Sequence, residues 1–211
     1  MSRSVRAWVL GVCVMLSMLA APEVFARELK VLVMGDSLSA AYGLRTEQGW
    51  VALADAKSTR YDFHNASIAG ETSAGGRSRI AAELKRVKPD IVVIELGAND
   101  GLRGLSLKTM RDNLESMTRK AQAGGAKVLI AGMQLPPNYG PDYTQKFAAT
   151  FSEVAKSTGS ALLPFLLDGF ATDPQQFLPD GIHPVAAAQP RIVDNVWTPL
   201  RSLLGKPLAR R

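Results

Sequence analysis

The chain has 211 residues, 46% hydrophobic and 21% charged; this is the make-up of a globular protein with one sizeable core, and it excludes a disordered, coiled-coil or collagen-like chain. The formal charge of +6 comes from Lys and Arg scattered in ones and twos, with no basic stripe interleaved with aromatics, so no nucleic-acid partner is expected. The single cysteine, Cys13, falls in the apolar N-terminal run, which leaves no disulfide framework and no thiol chemistry to expect.

The first segment in chain order is a leader. Arg3 and Arg6 precede an apolar run from Ala7 to Ala21, and Val24-Phe25-Ala26 fits a small-x-small cleavage site. Residues 1–26 therefore read as a secretory signal peptide. Their apolar run is shorter than the roughly 20 residues of a membrane span. Loss of Arg3, Arg6 and Glu23 with the leader takes the formal charge from +6 to +5. A periplasmic or secreted monomer with no stable membrane anchor is expected, its single domain running from 27 to 211.

Leu29 to Met34 is a short apolar run that reads as a buried strand, closed by Gly35-Asp36. Gln48 to Lys57 has helical spacing, and Tyr61 to Ser67 reads as a second strand ending in a loop at Gly70. Ser78 to Lys88 is a helix with Ile80, Ala81, Leu84 and Val87 on one face, stopped by Pro89. Asp90 to Leu96 is the clearest central strand. Ser106 to Ala123 is a helix with Leu107, Met110, Leu114 and Met117 as its stripe and Gly124-Gly125 as its stop. Lys127 to Met133 follows as a strand, Tyr143 to Lys156 as a helix and Ser160 to Leu163 as a fifth strand. Ala186 to Leu204 is helical, with Pro190 and Pro199 capping or kinking it. Wholly apolar strands alternating with amphipathic helices predict an α/β fold: one parallel sheet covered by helices on both faces.

In such a sheet the binding crevice lies beyond the carboxyl ends of the strands, and the residues there carry distinct chemistry. Ser37 follows the first strand and its turn. Alone it reads as a helix N-cap or as a nucleophile whose own N–H faces an oxyanion. Of two histidines after the leader, His64 lies mid-strand and reads as structural. His183, in Pro179-Asp180-Gly181-Ile182-His183-Pro184, follows a turn in which Asp180 can reach back to Nδ1 and leave Nε2 free as a base. Gly70 reads as a simple turn or as a backbone oxyanion donor, and Asn99 as an Asx-turn or as an amide donor.

Other chemistries lack their motifs. Position 39 is Ser, so Ser37 is not in a Gly-x-Ser-x-Gly elbow. No glycine-rich phosphate loop follows a strand. Two separated histidines without cysteine do not make a zinc site, and neither a metal nor a cofactor is expected.

Taken together, Gly35-Asp36-Ser37-Leu38, Gly70, Gly97-Ala98-Asn99-Asp100 and Asp180-Gly181-Ile182-His183-Pro184 resemble, in order, the four signature blocks of the SGNH (GDSL) hydrolase superfamily. Asn65 to Thr72, Pro136 to Gly140 and Ala188-Gln189-Pro190 are similar to its periplasmic thioesterase, lysophospholipase and arylesterase branch. The resemblance implies a three-layer α/β/α sandwich of the flavodoxin-like kind, with a five-stranded parallel sheet ordered 2-1-3-4-5. It implies Ser37, His183 and Asp180 as a triad, and Ser37, Gly70 and Asn99 as oxyanion donors. Hydrolysis of acyl and aryl esters, acyl-CoA thioesters and lysophospholipids is the activity implied.

Leu102, Leu105, Leu135, Pro136, Pro137, Tyr139, Phe177, Leu178 and Ile182 flank the expected site and are mostly apolar, which favours an acyl or aryl groove over a sugar site. Leu135, Pro136, Tyr139, Phe177 and Ile182 are the expected substrate contacts. The Gly- and Pro-punctuated segment 132–143 is expected to be a mobile wall of that groove. A carbohydrate O-deacetylase and a non-catalytic lipid-binding protein are the alternatives.

Overall fold

A computed structural model describes residues 27–203. The expected leader, residues 1–26, and the end of the chain from 204 lie outside the described residues. Five parallel strands form one sheet in the order β2-β1-β3-β4-β5. They are β1 (Leu29–Gly35), β2 (Tyr61–Asn65), β3 (Ile91–Glu95), β4 (Lys127–Ala131) and β5 (Ala161–Leu163). The helices are α1 (Trp50–Ala56), α2 (Ser73–Val87), α3 (Ala98–Leu102), α4 (Leu107–Ala123), α5 (Pro141–Thr158) and α6 (Gln189–Ser202). Helices α1 and α6 pack together on one face of the sheet, and α2, α4 and α5 pack in a row on the other. This is the expected three-layer sandwich and strand order.

The sheet is central because its strands are apolar on both faces. Val31, Leu32, Val33, Met34, Val92, Val93 and Ile94 have no exposed surface, and such β-branched runs suit a doubly covered parallel sheet. Burying a side chain of this size stabilises the fold by about 1.5–3 kcal/mol before the entropy of ordering is counted. Register then sets the site. β1 lies between β2 and β3, with Val33 opposite Asn65 on one side and Val93 on the other, and Gly35 opposite Glu95. The loops leaving these three strands therefore emerge side by side.

Three expectations need correction. α2 begins at Ser73 and not Ser78, capped by the Thr72 hydroxyl, which accepts from the Gly75 N–H. It contains Gly75 and Gly76 because a Cβ on Gly76 would lie 2.3 Å from Leu96 Cδ1, so only glycine lets the helix approach the sheet this closely. Ala81, assigned to its apolar face, is exposed. A short helix, α3, follows β3 and carries Asn99. Finally, the last helix begins with a 3-10 turn at Ala186–Ala188; Pro190 caps α6 as expected, in its first turn, where its missing N–H costs no hydrogen bond.

Gly132 is a second close approach. Its N–H donates to Leu163 O (2.8 Å), its carbonyl accepts from Leu166 N–H (2.9 Å), and a Cβ would lie 2.4 Å from the Pro164 carbonyl oxygen. Backbone cannot yield as a side chain can. Gly132→Ala is expected to destabilise the protein by about 1–3 kcal/mol, read as a lowered midpoint in thermal unfolding; an unchanged midpoint would show that the two segments separate freely.

Candidate active site

The loops beyond β1 and β2 and the start of α3 beyond β3 bring Ser37, Gly70 and Asn99 to the lining of one cavity of about 660 Å³. The turn before α6 brings His183 to the same place. The Ser37 hydroxyl lies 2.8 Å from His183 Nε2, and His183 Nδ1 lies 2.8 Å from Asp180 Oδ2. The three side chains thus form one hydrogen-bonded line. In it Asp180 accepts from Nδ1–H, which leaves Nε2 as the acceptor for the serine proton.

The histidine turn is rigidly built. Asp180 Oδ1 accepts from the N–H groups of Ile182 (2.9 Å) and His183 (3.0 Å), so the same carboxylate shapes the turn and orients the ring. Leu178 N–H donates to His183 O (2.7 Å) and Val185 N–H to Gln176 O (2.9 Å), closing a short antiparallel hairpin around the Phe177–Pro184 bridge. Gln189 fastens that hairpin to the body. Its amide donates to Pro184 O (3.3 Å) and accepts from Trp50 N–H (3.0 Å). The Tyr42 ring lies against the imidazole, with centroids 4.3 Å apart.

The backbone hydrogen bond from His183, helped by that from Ile182 and by the imidazole, holds the Asp180 carboxyl down at about 2, against burial acting the other way. Because the folded value is depressed, the stability it contributes is present above the ordinary value of 3.8 and is lost as the pH falls toward about 2. Asp180→Asn is expected to flatten this part of the acid-unfolding curve, measured by circular dichroism from pH 5 downward. A variant curve parallel to that of the native chain would remove Asp180 from the linkage.

The N–H groups of Ser37 and Gly70 donate to no other group among the described residues. Gly70 has φ +76°, a conformation that strains any residue with a Cβ. Asn99 is differently placed from the simple expectation. Its amide Nδ2 donates both to Asp36 Oδ2 (3.1 Å) and to Glu71 O (3.0 Å), while its Oδ1 lies 3.5 Å from the Arg103 guanidinium. Arg103 also donates to Gly70 O (2.9 Å), tying the second loop to the third.

Away from Ser37 the cavity is apolar. Leu135, Pro136, Phe177 and Ile182 line it, with Leu102 and Pro137. Tyr139 stands outside this lining: its hydroxyl donates to Leu102 O (3.1 Å), and its ring stacks on Tyr143. Leu105 and Leu178 are also outside the lining. Met133, Phe165 and Leu167 line it without having been singled out, because β4 and β5 end in apolar residues that read as core. His64 stays on β2, with Nε2 3.0 Å from Asp62 Oδ2, away from the cavity. No cluster of metal-ligating side chains occurs among the described residues, and no helix among them is long and apolar enough to cross a membrane.

The chain is similar to known proteins over most of its length. The model of the GDSL-like Lipase/Acylhydrolase family matches residues 33–189. The chain is 52% identical over 178 residues to the esterase TesA of Pseudomonas aeruginosa, covering 82% of this chain and 89% of that protein. It is 38% identical over 175 residues to the thioesterase 1/protease 1/lysophospholipase L1 of Escherichia coli K12, covering 82% and 84% respectively. Among solved structures, a psychrotrophic esterase EstA from Pseudoalteromonas sp., inhibited by monoethylphosphonate, superposes with a TM-score of 0.80 at 39% identity, over 85% of this chain and all of that one.

Proposed function

The chain belongs to the GDSL-like lipase/acylhydrolase family, and from that premise we propose that it is an esterase and thioesterase in which Ser37 is the nucleophile, His183 its base and Asp180 the residue that orients the base. The observation that carries this reading is the unbroken line Ser37 Oγ–His183 Nε2 and His183 Nδ1–Asp180 Oδ2, each step 2.8 Å, opening on an apolar cavity. His183 takes the Ser37 proton as Oγ attacks the acyl carbon. The tetrahedral oxyanion accepts from the Ser37 and Gly70 N–H groups, and from an Asn99 Nδ2–H that in the resting site donates to Glu71 O. His183 then returns the proton to the leaving alcohol or thiol, and water repeats the sequence to release the acid.

The substrate class is read from the wall. Leu135, Pro136, Phe165, Leu167, Phe177 and Ile182 offer an acyl or aryl group apolar contact and offer few partners to sugar hydroxyls. Acyl esters, aryl esters, acyl-CoA thioesters and lysophospholipids all present such a group beside the reacting carbonyl. The export leader read in residues 1–26 supports action in the periplasm or outside the cell.

The test is a panel of p-nitrophenyl esters of rising chain length, an acyl-CoA and a lysophospholipid, assayed beside an acetylated saccharide. Turnover should rise from acetyl to longer acyl chains as the cavity fills. A strong preference for the saccharide would overturn the acyl reading in favour of an O-deacetylase. Failure of a fluorophosphonate to label Ser37 would overturn the serine mechanism and favour a lipid-binding protein.

A further inference from the structure

Behind the nucleophile two acids lie buried against one another. Asp36 has 1% of its surface exposed and Glu95 none. They meet because β1 and β3 are neighbours in register, with Gly35 opposite Glu95. Each has a defined set of partners. Asp36 accepts from Leu38 N–H at Oδ1 (3.0 Å) and from the Asn99 amide at Oδ2 (3.1 Å). Glu95 Oε2 accepts from the Ser39 hydroxyl (2.7 Å) and from the Asp36 N–H (3.3 Å). The Ser39 hydroxyl in turn accepts from Trp50 Nε1–H (3.1 Å). Glu95 Oε1 is buried with no hydrogen-bond partner among the described residues.

Two carboxylates packed together without a cation between them cannot both ionise. The partners decide which one keeps the charge. Asp36 has donors on both oxygens, as an anion requires. Glu95 has donors on one oxygen only, and a bare carboxylate oxygen wholly inside the protein is far costlier than a neutral acid. His183 and Glu71 are the other charged or titratable groups that act on Asp36, from the hairpin and from the loop before α2. Burial pushes Asp36 up to about 6 and, with the adjacent Asp36, drives Glu95 well above the usual carboxylate range.

We propose that Glu95 is a positioning residue: held as the uncharged acid, it seats the Asp36 carboxylate, which holds one Asn99 N–H and so fixes the amide whose other N–H serves the oxyanion. The inference rests on the reading of Asn99 as an oxyanion donor. Glu95 touches no reacting atom and acts only through Asp36. An ionised Glu95 would repel Asp36 from this seat and release the amide.

Glutamine copies a neutral acid in shape and hydrogen bonding, and alanine does not. The experiment therefore compares Glu95→Gln, Glu95→Ala and Asn99→Ala by kcat and KM on one p-nitrophenyl ester. It adds the infrared carbonyl band of a protonated carboxylic acid at pH 8. Glu95→Gln should keep kcat near that of the native enzyme and lose the infrared band. Glu95→Ala should lower kcat about ten- to hundredfold with little change in KM, the cost of a misplaced group. Loss of activity in Glu95→Gln, or absence of the acid band from the native enzyme at pH 8, overturns the proposal. The infrared readout stands even if Glu95→Ala does not fold. Should Asn99→Ala keep full kcat, the oxyanion reading fails; should it lose kcat while both Glu95 variants keep theirs, this inference alone fails.

Discussion

Ser37→Ala and His183→Ala are each expected to lower kcat on an activated ester by about 10⁴-fold or more, and the double variant should be no worse than either single one. The reason is in the geometry. Nε2 lies 2.8 Å from the Ser37 hydroxyl, and of the two histidines in the described chain only His183 lines the cavity. Without the base, the hydroxyl keeps its proton; without the hydroxyl, the base has no nucleophile to activate. Two groups that work only as a pair cannot be lost twice. Neither side chain belongs to the core, so the variants should fold, and matching circular dichroism spectra would exclude misfolding. A double variant much slower than both single ones would mean that each acts independently, which the hydrogen-bonded line does not permit.

Asn99→Ala should have the next largest effect, a fall in kcat of about 10²–10³-fold with little change in KM, because an oxyanion donor acts on the transition state more than on the bound ester. The variant should also be less stable by about 1–3 kcal/mol, since it strips a donor from the buried Asp36 carboxylate. These two losses can be read separately, the first from initial rates and the second from thermal unfolding. A rise in KM with kcat intact would turn Asn99 into a substrate-binding group. Loss of stability without loss of rate would leave it a brace for Asp36.

Much of this arrangement was legible in the residues. β1 and β3 stand out as apolar runs because the sheet is covered on both faces, and Ser37, Gly70, Asn99 and His183 could be picked out because each follows a strand or a turn. The strand order itself came from family resemblance, since periodicity along one strand says nothing about its neighbours. α2 was read too short because Gly75 and Gly76 look like a loop, and only the packing against Leu96 explains why glycine belongs inside that helix. α3 is too short to show a period. Glu95 was hidden inside an apolar run, where nothing local announces that an acid faces a second acid one strand away. Tyr139 is a related case: an aromatic residue near a site can turn its hydroxyl inward to a backbone carbonyl, and the sequence does not tell which way it turns.

The cavity also has a division along the chain. The proposed nucleophile and oxyanion groups lie between 35 and 99, and the proposed base with its carboxylate between 180 and 183, whereas Leu102, Leu135, Phe165, Leu167 and Phe177 of the apolar wall fall in the stretch between them, and Ile182 alone of the named wall residues lies beside the base. Reaction and selectivity are thus written in separate blocks of sequence. Residues after Arg103 and before the histidine hairpin can diversify, or be exchanged with those of a relative, while Ser37, Gly70, Asn99 and His183 all stay in the flanking blocks. For an enzyme engineer this makes the central block the natural unit for recombination, with new acyl ranges obtained by grafting that block between two fixed chemical ends.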